Sequence, residues 1–292
     1  MKRTTTIGVY YPKLLALPAA LIYGFFFLVP ILAAVFMSFT DWNINRIFEP
    51  TFAGLANFTE LFADEVFLRS IFNTLLFAVC TTVGKVVLGL GLALLLAKST
   101  RRNEVFRTIA YMPCVLSTVV IGLLFNSILG KEGLLNNLLG LFGVQPYSWL
   151  SHYGTAMLWI ILMEIWMWSG FCMFIFISGL QAIPADYYES AGLDGAPKWS
   201  QFLHITLPLL VPSFIVVLTL NITGGLKVFD MVYILTNGGP GFDTQVLNTY
   251  TYRAFGVGYL GQSCASAVIL SVIVVTVTFL INRFMKNKEV EM

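Results

Sequence analysis

The stretch PADYYESAGLDGAPKWSQFLHITLP, residues 184–208, decides how the chain is read. Strongly apolar runs lie on both sides of it, and between them the segment is short, polar and patterned. Pro184 suits the first turn of a helix, and Asp186 and Glu189 put negative charge near that helix's positive end. Gly192 and Gly195 are expected to break the helix, and Pro197 to open a second short one. Thr206-Leu207-Pro208 then leads into the next apolar run. The spacing predicts a helix–turn–helix elbow with about two turns in each limb.

The flanking runs are typical of the whole sequence. Of its 292 residues, 58% are hydrophobic and only 11% are charged, with a mean hydropathy of +0.82. Soluble domains are about a quarter charged, so a water-covered surface is excluded and an all-α polytopic membrane protein follows. Twenty-five Phe and six Trp suit lipid-facing positions and interfacial belts. The net charge of +2 carries no sign of nucleic acid. Cys80, Cys114, Cys172 and Cys264 fall inside apolar runs without CxxC spacing and read as small buried hydrophobes. His152 and His204 stand near run ends and form no ligand cluster, so no metal is expected.

A helix crosses the ~30 Å hydrocarbon layer with about 20 apolar residues. Six stretches meet or approach that length, at about 14–39, 71–97, 109–129, 153–180, 205–226 and 264–281. The first is too long for a signal-peptide core and is expected to be retained. Lys2, Arg3, Lys13, Lys98, Arg101, Arg102, Arg107, Lys198, Arg283, Lys286 and Lys288 fall on one side of this topology. Arg46, Arg69, Lys131, Lys227 and Arg253 fall on the other. The positive-inside rule makes both termini cytoplasmic, and with them the loop 181–204. Residues 1–292 are therefore expected to form a single transmembrane domain, with the longer loops, near 40–70 and 227–263, outside.

Charge sign separates two uses of the elbow. A helix lying on lipid headgroups usually carries Lys and Arg on its polar face. Here Asp186, Glu189 and Asp194 stand against Lys198 alone, which suits a protein partner with a basic cleft. Ser190, Ala191, Gly192 and Gly195 are small enough for close approach.

The string Glu189-Ser190-Ala191, three residues, Gly195, nine residues, Ile205-Thr206-Leu207-Pro208 resembles the EAA motif of the membrane subunits of bacterial ATP-binding-cassette importers. Ser190 replaces the motif's middle Ala, one small residue for another. Gln181–Pro184, VFDMVYILTNGGPGFDTQVLNTYTYRAF (228–255) and FRTIAYMP (106–113) are similar to the sugar-permease branch, the maltose-transporter type. About thirty residues separate spans one and two, so that type's large extra periplasmic domain is missing. The resemblance implies a type I importer permease fold of six transmembrane helices with a cytoplasmic coupling helix. It implies no enzyme in this chain, with ATP and Mg held by a separate ATPase dimer. A second, different permease, an extracellular or periplasmic sugar-binding protein, and a bacterial inner (cytoplasmic) membrane location are also implied. In the coupling helix, Glu189 is expected to pair with a basic group, Tyr187 and Tyr188 to anchor in a pocket, and Gly195 to allow the turn. No P-loop occurs here: Gly84-Lys85 is followed by Val86, and Gly130-Lys131 by Glu132.

Ionisable residues within spans are costly and mark function. Lys85 and Glu164 are such residues, and two uses stay open, a buried pair or a lining for the path. Glu164, Trp168 and Phe171 share a helical face at i, i+4 and i+7, offering a carboxylate and aromatic rings to a sugar. Asn221 and Gly225, four apart on span five, match their depth and complete the candidate path. LTNGGPGFDT (235–244) reads as a tight external reversal. Two other classes fit the sequence less well. An ion-coupled secondary transporter would show an inverted repeat, and none is apparent. An intramembrane enzyme would need a nucleophile and base, or paired acids, within the spans.

Overall fold

A computed structural model describes residues 16–286. Lys2, Arg3, Lys13 and Lys288 of the topology argument lie outside the described residues, as do the first two positions of the expected first span. The chain groups into two compact units, Met1–Ala63 with Thr251–Ile269, and Asp64–Tyr250 with Leu270–Met292.

In the first unit, helix α1 (Leu17–Met37) contains one π-helical turn at Gly24–Leu28 and no buried residue. A helix apolar on every side is a solute of hydrocarbon. After it, Thr40–Asp41 (β1) pairs antiparallel with Thr51–Phe52 (β2), Thr40 opposite Phe52. Helix α2 (Ala56–Ala63) fastens this ladder through the Asn57 amide, which donates to the carbonyls of Ser38 (2.8 Å) and Thr40 (2.9 Å).

The second unit is built on two long helices, α3 (Glu65–Leu96) and, further along, Ala156–Ala182. Asp64 caps α3 by accepting from Val66 N at 2.8 Å, so the helix starts several residues before its apolar run. At the other end the Arg107 guanidinium donates to the carbonyls of Leu96 (2.6 and 3.0 Å) and Ala97 (2.9 Å), closing orphan helix-end acceptors. The apolar run 109–129 is not one helix. Helix α4 (Arg101–Val115) contains Pro113, whose missing N–H weakens the last turn, and Leu116 is extended at φ −77°, ψ 149°. A new start follows at α5 (Thr118–Leu129) and α6 (Leu134–Gly140), so the stretch long enough to span is Thr118–Gly140.

Helix α7 (Ala156–Ala182) is central: it packs on α3 and α4, and buries Ile160, Met163, Met167, Met173 and Phe176. Cys172 is buried with them, while Cys80, Cys114 and Cys264 are partly so; all four are free thiols. The elbow helix α8 (Ala185–Leu193) follows. Next come α9 (Lys198–Leu209) and α10 (Val211–Leu226), bent by 62° across Leu210. Pro208 and Pro212 flank the bend, and each withholds an N–H from the ladder. Helices α11 (Asp230–Leu235), α12 (Leu247–Val257) and α13 (Leu260–Lys286) complete the described chain. Among the described residues, five helices are long and apolar enough to cross a membrane, and six if the bent pair counts as one span.

Candidate functional site: cavity, elbow and outer loop

Helices α3, α5, α7 and α10 and the segment after α10 enclose a cavity of about 400 Å³. Lys85 reaches it from α3, and Glu164, Trp168 and Phe171 from successive turns of α7. Lys85 Nζ lies 2.8 Å from Glu164 Oε1, the two side chains being 4% and 13% exposed. The pair is made, and both of its members line the cavity. Engagement of Glu164 through Oε1 leaves Oε2 as an acceptor for a guest. Trp168 and Phe171 meet edge to face, centroids 6.0 Å apart at 90°, giving an apolar wall.

Asn221 is buried on α10 and donates through Nδ2 to Val217 O (2.8 Å) and Cys172 Sγ (3.2 Å). Its amide is thereby oriented, with Oδ1 left as the acceptor. Gly225, expected beside it, does not line the cavity. A Cβ there would sit 2.7 Å from Ala78 Cα, so Gly225 is where α10 lies against α3. Gly224, one residue and about 100° round the helix, lines the cavity instead. Thr118, Phe229 and Asp230 line it too and were not foreseen. Each follows a helix break, where apolar periodicity carries no signal. Among the described residues no three His, Cys, Asp or Glu side chains gather as metal ligands would.

The elbow is more ordered than its glycines suggest. Gly192 stays inside α8, which ends at Leu193, and the chain turns away at Gly195, whose φ is +76°. Ala196 N donates to Ala191 O at 2.9 Å and Gly195 N to Gly192 O at 3.1 Å, the paired bonds of a Schellman cap. The second limb is not a separate short helix, since α9 runs through a π turn at Phe202–Thr206 to the bend. Tyr187 and Tyr188 differ in exposure and partner. Adjacent helix positions point about 100° apart: Tyr187 is half exposed, while the Tyr188 hydroxyl meets Thr206 Oγ1 at 2.9 Å. Tyr188 thus ties α8 to α9 and is withdrawn from the outer face. Glu189 and Ser190 are exposed, and Ala191 is partly so. Leu193 (91% exposed) and Trp199 (69%) were missed, although large apolar side chains in a polar segment were the available signal.

The reversal at 235–244 is fixed by Asp243. Its Oδ2 accepts from Gly154 N at 2.7 Å, and Oδ1 pairs with Arg69. Asn73 of α3 donates to the carbonyls of both Asp243 (2.8 Å) and Gln245 (2.9 Å). Tyr250 donates to Asp64 at 2.7 Å, and burial, with that carboxylate beside it, pushes the phenol pKa up.

Residues 85–289, which hold the cavity and the elbow, match the family described as binding-protein-dependent transport system inner membrane component. The chain belongs to that family. The permease is 38% identical over 286 residues to the Probable ABC transporter permease protein YurN of Bacillus subtilis, covering 96% of this chain and 97% of that one. It is 34% identical over 277 residues to the arabinooligosaccharides transport system permease protein AraP of the same organism, covering 92% and 86%. A solved bacterial ABC transporter, involved in import of the acidic polysaccharide alginate, superposes with a TM-score of 0.82 at 25% identity over 94% of both chains. The fold is that of a type I importer permease, the permease is a membrane transport component, and the ion-coupled alternative finds no support in these relatives.

Proposed function

We propose that this permease forms part of the path of an ATP-driven sugar or oligosaccharide importer, working by alternating access. The observation that carries the cargo class is the cavity. Glu164 and Asn221 hold acceptors in fixed orientations for hydroxyl donors, and the crossed Trp168–Phe171 rings give a surface for the apolar faces of a sugar ring. Similarity to permeases named for arabinooligosaccharide and for trehalose/maltose transport supports the same class.

In this reading a separate ATP-binding-cassette ATPase dimer holds ATP and Mg and receives the elbow through Glu189, Ser190, Ala191 and the exposed Tyr187. Leu193 and Trp199 add apolar anchors, and the Gly195 turn keeps the elbow short and stiff. ATP-driven closure of the dimer moves the elbow and turns the cavity outward, and hydrolysis returns it. A solute-binding protein delivers the sugar from outside, a second permease supplies the remainder of the path, and both termini face the cytoplasm. The test is reconstitution in proteoliposomes. Uptake is expected only with the ATPase, the second permease, the binding protein and internal ATP. Uptake by this chain alone on a proton or sodium gradient sinks the reading.

A further inference from the structure

A second cavity, of about 730 Å³, lies along the same helices on the side of the elbow. Each of three walls passes from one cavity to the other at the same level. On α7 the first cavity takes Glu164 and Trp168, and the second takes Phe174, Ser178 and Ala182, next to the elbow. On α10 the order reverses with the chain: Pro212, Ser213 and Val216 line the second cavity, Leu220, Asn221 and Gly224 the first. On the third wall Tyr111 of α4 faces the second and Thr118 of α5 the first, with the helix break at Leu116 between them. Among the described residues Phe171 alone belongs to both linings. Trp168, on the first cavity's side, meets its ring at 90° with 6.0 Å between centroids, which backs the ring from that side.

The two spaces differ in chemistry. The first offers a buried ion pair and an oriented amide. The second holds no Asp, Glu, Lys, Arg or His among the described residues, and its polar side chains are the hydroxyls of Tyr111, Ser178 and Ser213. Hydrogen bonds to charged groups are roughly twice as strong as neutral ones. A sugar that steps past Phe171 thus trades stronger bonds for weaker ones, and a path needs weak binding where its cargo leaves. Leu209 and Pro212, on either side of the 62° bend, belong to the second wall, so movement of the elbow acts on this cavity directly. We propose that the second cavity is the exit chamber for the sugar and that the Phe171 ring is the leaf that closes it off from the first. The cargo rests on the importer reading above; the single shared residue does not.

The test uses the assembled importer in proteoliposomes, with ATP inside and the binding protein outside, offered maltotriose, arabinotriose and trehalose. Phe171→Ala is expected to lower the accumulation plateau about tenfold more than the initial rate, because sugar already inside runs back. Once ATP is exhausted, the accumulated sugar should drain from this variant and stay in the wild type. A plateau that falls only in step with the rate, as a misshapen cavity gives, overturns the leaf. Phe171→Leu repeats the measurement should the alanine variant not assemble. Ser178→Trp fills the second cavity and leaves the first untouched. It is expected to cut uptake at saturating sugar about three- to tenfold, by slowing release, with the subunit ratio of the purified complex unchanged. Full uptake would mark a lipid-filled groove, and loss of the second permease a subunit seat; either overturns the exit chamber. Val216→Phe, on α10, gives the same measurement if Ser178→Trp does not fold. A wild type that imports none of the three sugars overturns the importer reading itself, whereas wild-type uptake beside a tight Phe171→Ala overturns the leaf alone.

Discussion

Lys85 and Glu164 join α3 to α7 through a buried ion pair. Removing one charge of a buried pair strands the other, a loss of about 3–5 kcal/mol. Lys85→Met is therefore expected to lower the melting midpoint in detergent and abolish uptake, while Lys85→Met/Glu164→Gln regains most of the midpoint without the uptake. A double variant no more stable than the single would show that the charges are not coupled. The glycines of α10 make a second contrast. Gly224→Ala meets open space, whereas Gly225→Ala drives a methyl into Ala78 and is expected to cost about 1–3 kcal/mol. Thermal unfolding of the two variants separates them. From sequence, Glu164, Trp168 and Phe171 were legible because one helix face carries them. Gly225 was misplaced because only the approach of α3 decides which side of α10 is a wall and which is a contact.

At the scale of elements, the elbow is a part made to keep its shape. Tyr188→Phe removes the bond to Thr206 and leaves the rest of α8 unchanged. A net cost of about 1 kcal/mol, concentrated at the α8–α9 joint, is expected. Assembled complexes should then keep their ATPase but import less sugar per ATP hydrolysed, measured as the ratio of the two rates; an unchanged ratio removes Tyr188 from coupling. The Tyr250–Asp64 tie has its own signature. A raised phenol pKa means that its contribution is intact below the ordinary value of 10.0 and is lost as pH climbs beyond it. Proteolysis at the α3 start should therefore quicken only above that pH. The positions of the apolar runs, and the glycine at 195, could be read without coordinates. The interruption at Leu116 and the 62° bend could not, because each depends on where a proline falls relative to the hydrogen bonds of one particular turn.

For the whole molecule, the proposed division of labour leaves the cavity in this chain and the fuel elsewhere. Glu189→Lys reverses the charge of an exposed elbow position whose side chain makes no hydrogen bond or ion pair among the described residues, so the permease should fold and insert as before. Co-purification with the ATPase should fall, along with ATP-driven uptake; full retention of both would remove Glu189 from the interface. The membrane class was plain from composition, and the elbow from the polar break between two apolar runs. A cleft of about 460 Å³ lined by Asp41, Asn57, Glu60 and Gln262 was not, since its residues come from a ladder, a short helix and the start of α13, brought together only by folding.

The bend at Leu210 makes α9 and α10 a bell crank. From Leu210 to Lys198 is about 18 Å along one arm, and from Leu210 to Asn221 about 16 Å along the other, at 1.5 Å per residue. A rigid rocking of 10° about the bend would move each tip by about 3 Å, so the gearing between elbow and cavity is close to one to one. In the proposed importer, a stroke received at the elbow would be neither amplified nor wasted, only turned through a corner.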